Sequence, residues 1–156
     1  APSMRNRTVA PRGKSVRTTI ADAKAEIFVG LETGGAVVLN RDNSQFARLA
    51  RSAKKLGILL STPPSHPSVE TVAQLASEAL TEGADLYLYF IDEGVKNLRD
   101  PRYTELVGRG MKLFVCAYGC QQHGVSTDAL DSRISLCGLV VLSNIVNGCD
   151  RFLAFT

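Results

Sequence analysis

The chain has no apolar run near the roughly 18 to 20 residues that cross a bilayer, so no membrane span is expected. Its start carries charges without the apolar stretch of a signal peptide, and export is not expected either. Cysteine is sparse: Cys116, Cys120, Cys137 and Cys149 all lie in the second half. Four thiols so placed do not make the framework of a small secreted scaffold, which points to reduced thiols in a cytoplasmic setting. GxGxxG, Walker-loop, paired-carboxylate and Ser/His/Asp patterns are also missing, which removes the ordinary signals of a dehydrogenase or a hydrolase. No organic cofactor is expected. There is no internal repeat, and no low-complexity linker after residue 21.

What is there is an ordinary globular composition, 156 residues with 45% apolar and 21% charged side chains, enough for one buried core. The net charge of +3 is unevenly spread. Residues 1–20 hold Arg5, Arg7, Arg12, Lys14 and Arg17 and no acid, which leaves the remaining chain at −2. This arm reads as a solvated, disordered tail. A contact with nucleic acid or an acidic protein is the alternative, but no aromatic is interleaved with the arginines to stack on bases, so direct nucleic-acid binding is not expected.

Beyond the tail, residues 25–31 (AEIFVGL) and 36–40 (AVVLN) read as a hairpin broken at Gly34-Gly35. Phe46, Leu49, Ala50, Ala53 and Leu56 then fall at helical spacing, with Arg48, Arg51, Lys54 and Lys55 opposite and Gly57 as the stop. These pieces make residues 21–57 an N-terminal extension to a domain over 58–156. In that domain Ile58–Leu60 reads as a strand before the proline loop STPPSHP, and a helix starts near Pro67 and ends at Gly83. Residues 86–91 (LYLYFI) are too apolar to be half exposed and predict a central strand. A helical stretch over 93–98, the Asp100-Pro101 break and a helix around 103–107 lead to a strand at 111–116 (MKLFVC), then a helix over 139–146 and a last strand at 151–155. Strands alternating with helices over short loops predict an α/β fold of three layers, α/β/α, around a mostly parallel central sheet. In such sheets chemistry collects at the strands' carboxyl ends, here the loops after Ser61, Ile91 and Cys116.

Cys116 ends the strand KLFVC and precedes a turn into a short helix. Backbone N–H groups there favour a thiolate, the reactive form of cysteine, while a small buried hydrophobe is the competing reading. Cys120 and His123 follow in a Cys-x3-Cys-x2-His pattern. A Cys116–Cys120 disulfide would make a redox sensor. A metal site would need a fourth ligand from Cys137, Cys149 or His66 at a spacing unlike structural zinc, so no metal is expected. Cys137 and Cys149 sit in apolar contexts that packing explains. His66 in the proline loop polarises a substrate or caps a turn. His123 serves the thiols as a proton donor or lies on the surface, and Asp92-Glu93 orient a ligand or cap the following helix.

Four segments, ILLSTPPSHPSVETVAQLASEAL, LYLYFIDEGV, GMKLFVCAYGCQQHGV and GLVVLSNIVNGCDRFLAFT, carry a resemblance to the DsrE/DsrF-like sulfur-relay family from about Ile58 to Thr156. That family includes sulfurtransferase subunits of dissimilatory sulfur metabolism and of tRNA thiolation. The resemblance implies a three-layer protomer that assembles into homo- or hetero-oligomeric trimers or hexamers and exchanges sulfur with donor and acceptor proteins. It implies Cys116 as the sulfur-carrying residue, with Cys120, in the same segment, a second candidate; Tyr118, His123, Asp92, Glu93 and His66 are pocket candidates from the reading of the residues themselves. Some members lack the reactive cysteine, so a non-catalytic oligomeric subunit or thiol redox sensor stands beside the persulfide carrier as the alternative.

Overall fold

The structure is a computed structural model and describes residues 53–156. The basic arm, the hairpin and most of the cationic helix lie outside these residues. In chain order the elements are β1 (Lys55–Leu60), α1 (Ser68–Thr81), β2 (Asp85–Phe90), a 3-10 helix (Asp92–Arg99), α2 (Pro101–Gly108), β3 (Lys112–Cys116), α3 (Ala117–Gln122), β4 (Ile134–Cys137), α4 (Leu139–Gly148) and β5 (Arg151–Phe155).

All five strands are parallel, in the order β4-β3-β2-β1-β5. From β1 to β4 the chain steps always in one direction, and right-handed crossovers then put α1 and α2 on one face. The return from β4 to β5 runs the opposite way and puts α4 on the other. The architecture is therefore α/β/α in three layers, with a sheet wholly rather than mostly parallel.

Burial follows this asymmetry. Leu56, Ile58, Leu60, Leu86, Leu88, Phe90, Leu113 and Val115 face α1 and α2 and are sealed. On the α4 face Leu59, Tyr87 and Phe114 are only partly covered. Gly57 marks that face, since a Cβ there would meet Phe152, Cys149 and Ile145. Tyr103 closes the first layer: its hydroxyl donates to the Val69 carbonyl at 2.9 Å and its ring meets Phe90 edge-on at 5.0 Å.

Two expectations need correction. Lys55, Leu56 and Gly57 do not finish a helix but open β1. Leu56 satisfies helical spacing from Ala53 and the two-residue alternation with Ile58 and Leu60 equally well. Neighbouring strands decide: Asp85 N–H donates to the Lys54 carbonyl at 2.8 Å and Asp150 N–H to the Lys55 carbonyl at 2.9 Å. The second correction is β4, which the sequence reading missed; Cys137, explained there by packing in an apolar context, is the last residue of this edge strand.

Gly94 brings the 3-10 helix against the end of β1. A Cβ at this position would fall on the Leu60 carbonyl oxygen, far inside contact distance. Buried Asn97 fixes the same junction, its Nδ2 donating to the carbonyls of Thr62 and Gly94 at 3.0 Å each. This packing places Asp92 beside the end of β3, with a left-handed backbone at φ 50°.

Candidate functional site

Three strand ends, those of β2, β3 and β4, converge on a cavity of about 310 Å³. It is lined by Ile91, Asp92, Cys116, Tyr118, Gly119, Gln122, Gly138 and Leu139. Its walls are mostly apolar and include the sulfur-bearing Cys116 and the carboxylate-bearing Asp92.

Cys116 sits there because β3 ends at it and α3 begins with the next residue, making it the N-cap. Its Sγ accepts the Gly119 N–H at 3.4 Å, as a capping serine or aspartate oxygen would. Gly119 fits closely in the first turn, where a Cβ would stand 3.0 Å from Val95 Cγ1. The side chain is almost fully enclosed, so its sulfur meets a ligand through the cavity rather than across open surface.

The other candidates divide. Tyr118 lines the cavity and is 71% exposed, available to a ligand or to a protein covering the mouth. His123 caps α3 and reaches back to the 3-10 helix: Nε2 lies 3.0 Å from Asp92 Oδ1 and Nδ1 lies 3.5 Å from Glu93 Oε1. Both ring nitrogens face carboxylates, so His123 ties α3 to the 3-10 helix. Glu93 also pairs with Lys96 at 2.6 Å.

Cys120, one turn into α3, is buried, and burial followed by the nearby Cys116 pushes its thiol up. It does not line the cavity. His66 does not line it either; its Nδ1 accepts the Ser68 N–H at 3.2 Å at the start of α1, the turn-capping alternative. Cys149 packs against α4 and Gly57, and its thiol is pushed up to about 11, by burial first and then by Asp150. All four cysteines are free thiols. Among the described residues no three His, Cys, Asp or Glu side chains are grouped as metal ligands.

Sequence reasoning missed Ile91, Gly119, Gln122, Gly138 and Leu139 as lining residues, and it missed Tyr89. Buried in the middle of LYLYFI, Tyr89 reads as core. Its neighbours depend on the β2–β3–β4 register, which local periodicity does not reveal.

No curated protein matches the chain. Among solved structures it is similar to the ychN protein from E. coli, at 19% identity and a TM-score of 0.57 over 65% of this chain and 97% of that one. This likeness shows the fold. Among the described residues no helix is long and apolar enough to cross a membrane. The model of the DsrE/DsrF-like family matches residues 54–155, from the start of β1 to the end of β5, with Cys116 at the end of the third strand; the chain belongs to the DsrE/DsrF-like family.

Proposed function

We propose that this protein is an intracellular sulfur carrier in which Cys116 accepts sulfane sulfur as a persulfide and hands it to a cysteine of a partner protein. One observation carries the reading: Cys116 alone of the four cysteines both caps a helix through its sulfur and opens into the cavity at the strand ends. The family's association with sulfur relay supports it. The mechanism uses this chain's own groups. The Cys116 thiolate attacks the terminal sulfur of a donor persulfide, the S–S bond of the donor breaks, and the donor leaves as a thiolate. Gly119 N–H remains on Sγ, and the apolar wall from Ile91 and Leu139 keeps water and stray thiols from the loaded sulfur. Transfer onward repeats the exchange with an acceptor thiolate.

An enclosed sulfur needs a partner that enters the mouth, and the apolar surface around it fits docking. Tyr118, Leu139 and Val140 are all exposed. We include in the proposal that this surface is covered in an oligomer or by the donor and acceptor proteins. The near-complete burial of Cys116 also suits a second reading, a non-catalytic subunit of the same fold.

Intact mass separates the two. Reduced protein incubated with inorganic polysulfide is expected to gain about 32 Da per sulfur, reversibly with dithiothreitol. The gain should vanish in Cys116→Ser and persist in Cys120→Ser. No adduct on the wild-type protein would favour the non-catalytic subunit.

A further inference from the structure

Cys116 faces a second thiol across the sheet. In the β3–β4 ladder Cys116 pairs in register with Cys137, the last residue of each strand against the last of the other. Residues paired in register point to the same face, and adjacent strands lie about 4.8 Å apart. This falls within the roughly 4.4–6.8 Å between Cα atoms that a disulfide spans. Cys137 is partly exposed where Cys116 is enclosed.

A second observation marks the pair. Tyr89 is fully buried, and among the described residues no oxygen or nitrogen partner reaches its hydroxyl. Tyr89 pairs in register with Phe114, two residues before Cys116, so it stands on the same face of the sheet. The groups beside its hydroxyl are the sulfurs of Cys137 and Cys116, which add to burial in raising its ionisation above the ordinary tyrosine range. A buried hydroxyl without an oxygen or nitrogen acceptor is costly unless something else accepts its proton. The Cys137 thiol interacts with this group. Burial pushes its thiol up, while the Tyr89 hydroxyl and the Val115 N–H on β3 pull against that shift.

We propose that Cys137 is the partner thiol of Cys116, closing a cross-strand disulfide with it and expelling hydrosulfide when Cys116 carries a persulfide, with Tyr89 donating its hydroxyl hydrogen bond to whichever sulfur is anionic. The first half rests on the carrier reading of Cys116. In the step, the Cys137 thiolate attacks Cys116 Sγ and the Cys116–Cys137 S–S bond forms. The bond from Sγ to the sulfane sulfur breaks, and its electron pair leaves on hydrosulfide, which takes up the proton that Cys137 gave to solvent. The two protein sulfurs are oxidised and the sulfane sulfur is reduced to sulfide, so no further oxidant enters. Dithiothreitol restores both thiols. A sulfur not collected by an acceptor would thus be discharged as sulfide and leave the carrier locked until reduced. Cys120 is the less suited partner, because it lies deeper and has no register with Cys116 on the sheet.

The test loads full-length reduced protein with one equivalent of inorganic polysulfide, desalts it, and follows intact mass and released sulfide together. In the wild-type protein the loaded species is expected to give way to one about 2 Da lighter than the reduced chain, with one sulfide released, and non-reducing peptide mapping joins the Cys116 and Cys137 peptides. Cys137→Ser and Cys137→Ala should each hold the persulfide at least tenfold longer. Tyr89→Phe should still form the disulfide, several-fold more slowly, and circular dichroism checks that each variant folds. Loading at Cys116 with unchanged persulfide lifetime in both Cys137 variants, or with Cys120 in the disulfide, overturns the proposal and leaves the carrier reading intact. A parallel arm oxidises unloaded protein with diamide, where a Cys116–Cys137 link is expected. That link without any sulfur loading would sink the carrier reading and leave the thiol pair standing; its absence overturns the pair.

Discussion

Asp100 shows how one side chain ends one helix and begins another. Its backbone is extended, Pro101 takes the first position of α2, and its Oδ1 accepts the Arg102 N–H at 3.0 Å. The Arg102 guanidinium then folds back on the same carboxylate at 2.6 Å and spans to Glu70 on α1. The hydrogen bonds from Arg102 outweigh burial and hold Asp100 below its ordinary value of 3.8. A carboxylate held low in the folded chain adds stability above the unfolded value and loses it as pH falls through the folded one. Asp100→Asn keeps an oxygen for the Arg102 N–H and removes the charge. Since Arg102 is partly exposed, the expected loss is about 1 kcal/mol at pH 7, read as a lower urea midpoint. The gap from wild type should close as pH drops below 3.8. A gap of constant size across that range would assign the effect to cap geometry rather than charge.

At the scale of elements, two glycines at the site test what the junction between strand and helix tolerates. Gly94 presses on backbone, the Leu60 carbonyl, which β1 holds in place. Gly119 presses on Val95 Cγ1, the end of a side chain. Gly94→Ala should therefore cost about 3 kcal/mol or more in urea unfolding. Gly119→Ala should stay within about 1 kcal/mol of wild type, because the strain of moving Val95 is offset by helix propensity gained in α3. Equal effects would show that the 3-10 helix yields as a body. The same elements show what was legible before the fold was known. LYLYFI and KLFVC announced buried strands because both faces of a covered parallel strand are apolar. The helix after Pro67 announced itself through one apolar face ending at Gly83, whose φ is 81°. β4 did not, since it has four residues at a sheet edge and leaves Ser135 and Leu136 exposed. Cys116 could be singled out as a strand's last residue. Its relation to Tyr89 and Cys137 could not, because register between strands separated in sequence is set by the assembled sheet.

For the whole molecule, the two faces of the sheet are covered unequally, and this bears on assembly. Over β1 to β3 the α1 and α2 face is sealed, whereas among the described residues α4 is the helix on the other face and buries only Ile145 fully. Its first turn presents Leu139 at 59% and Val140 at 77% exposure, with Tyr118 also exposed. A lone exposed valine needs no explanation, but a row of apolar groups beside a cavity holding an enclosed sulfur is what a covering subunit or partner would bury. Val140→Lys places a charge where such a surface would be desolvated, at a side chain that is largely exposed in the protomer. Its unfolding free energy should stay within about 0.5 kcal/mol of wild type once measured as a monomer. Sedimentation velocity over a range of concentrations should show the wild-type chain as an oligomer and the variant shifted toward the protomer. With the cover gone, the loaded Cys116 meets solvent thiols, so sulfur on Val140→Lys should be lost to glutathione faster than on wild type. A wild-type chain that sediments as a protomer throughout, with the same rate of sulfur loss in the variant, would mean that no second copy covers this surface. The donor and acceptor proteins would then be its only candidate occupants.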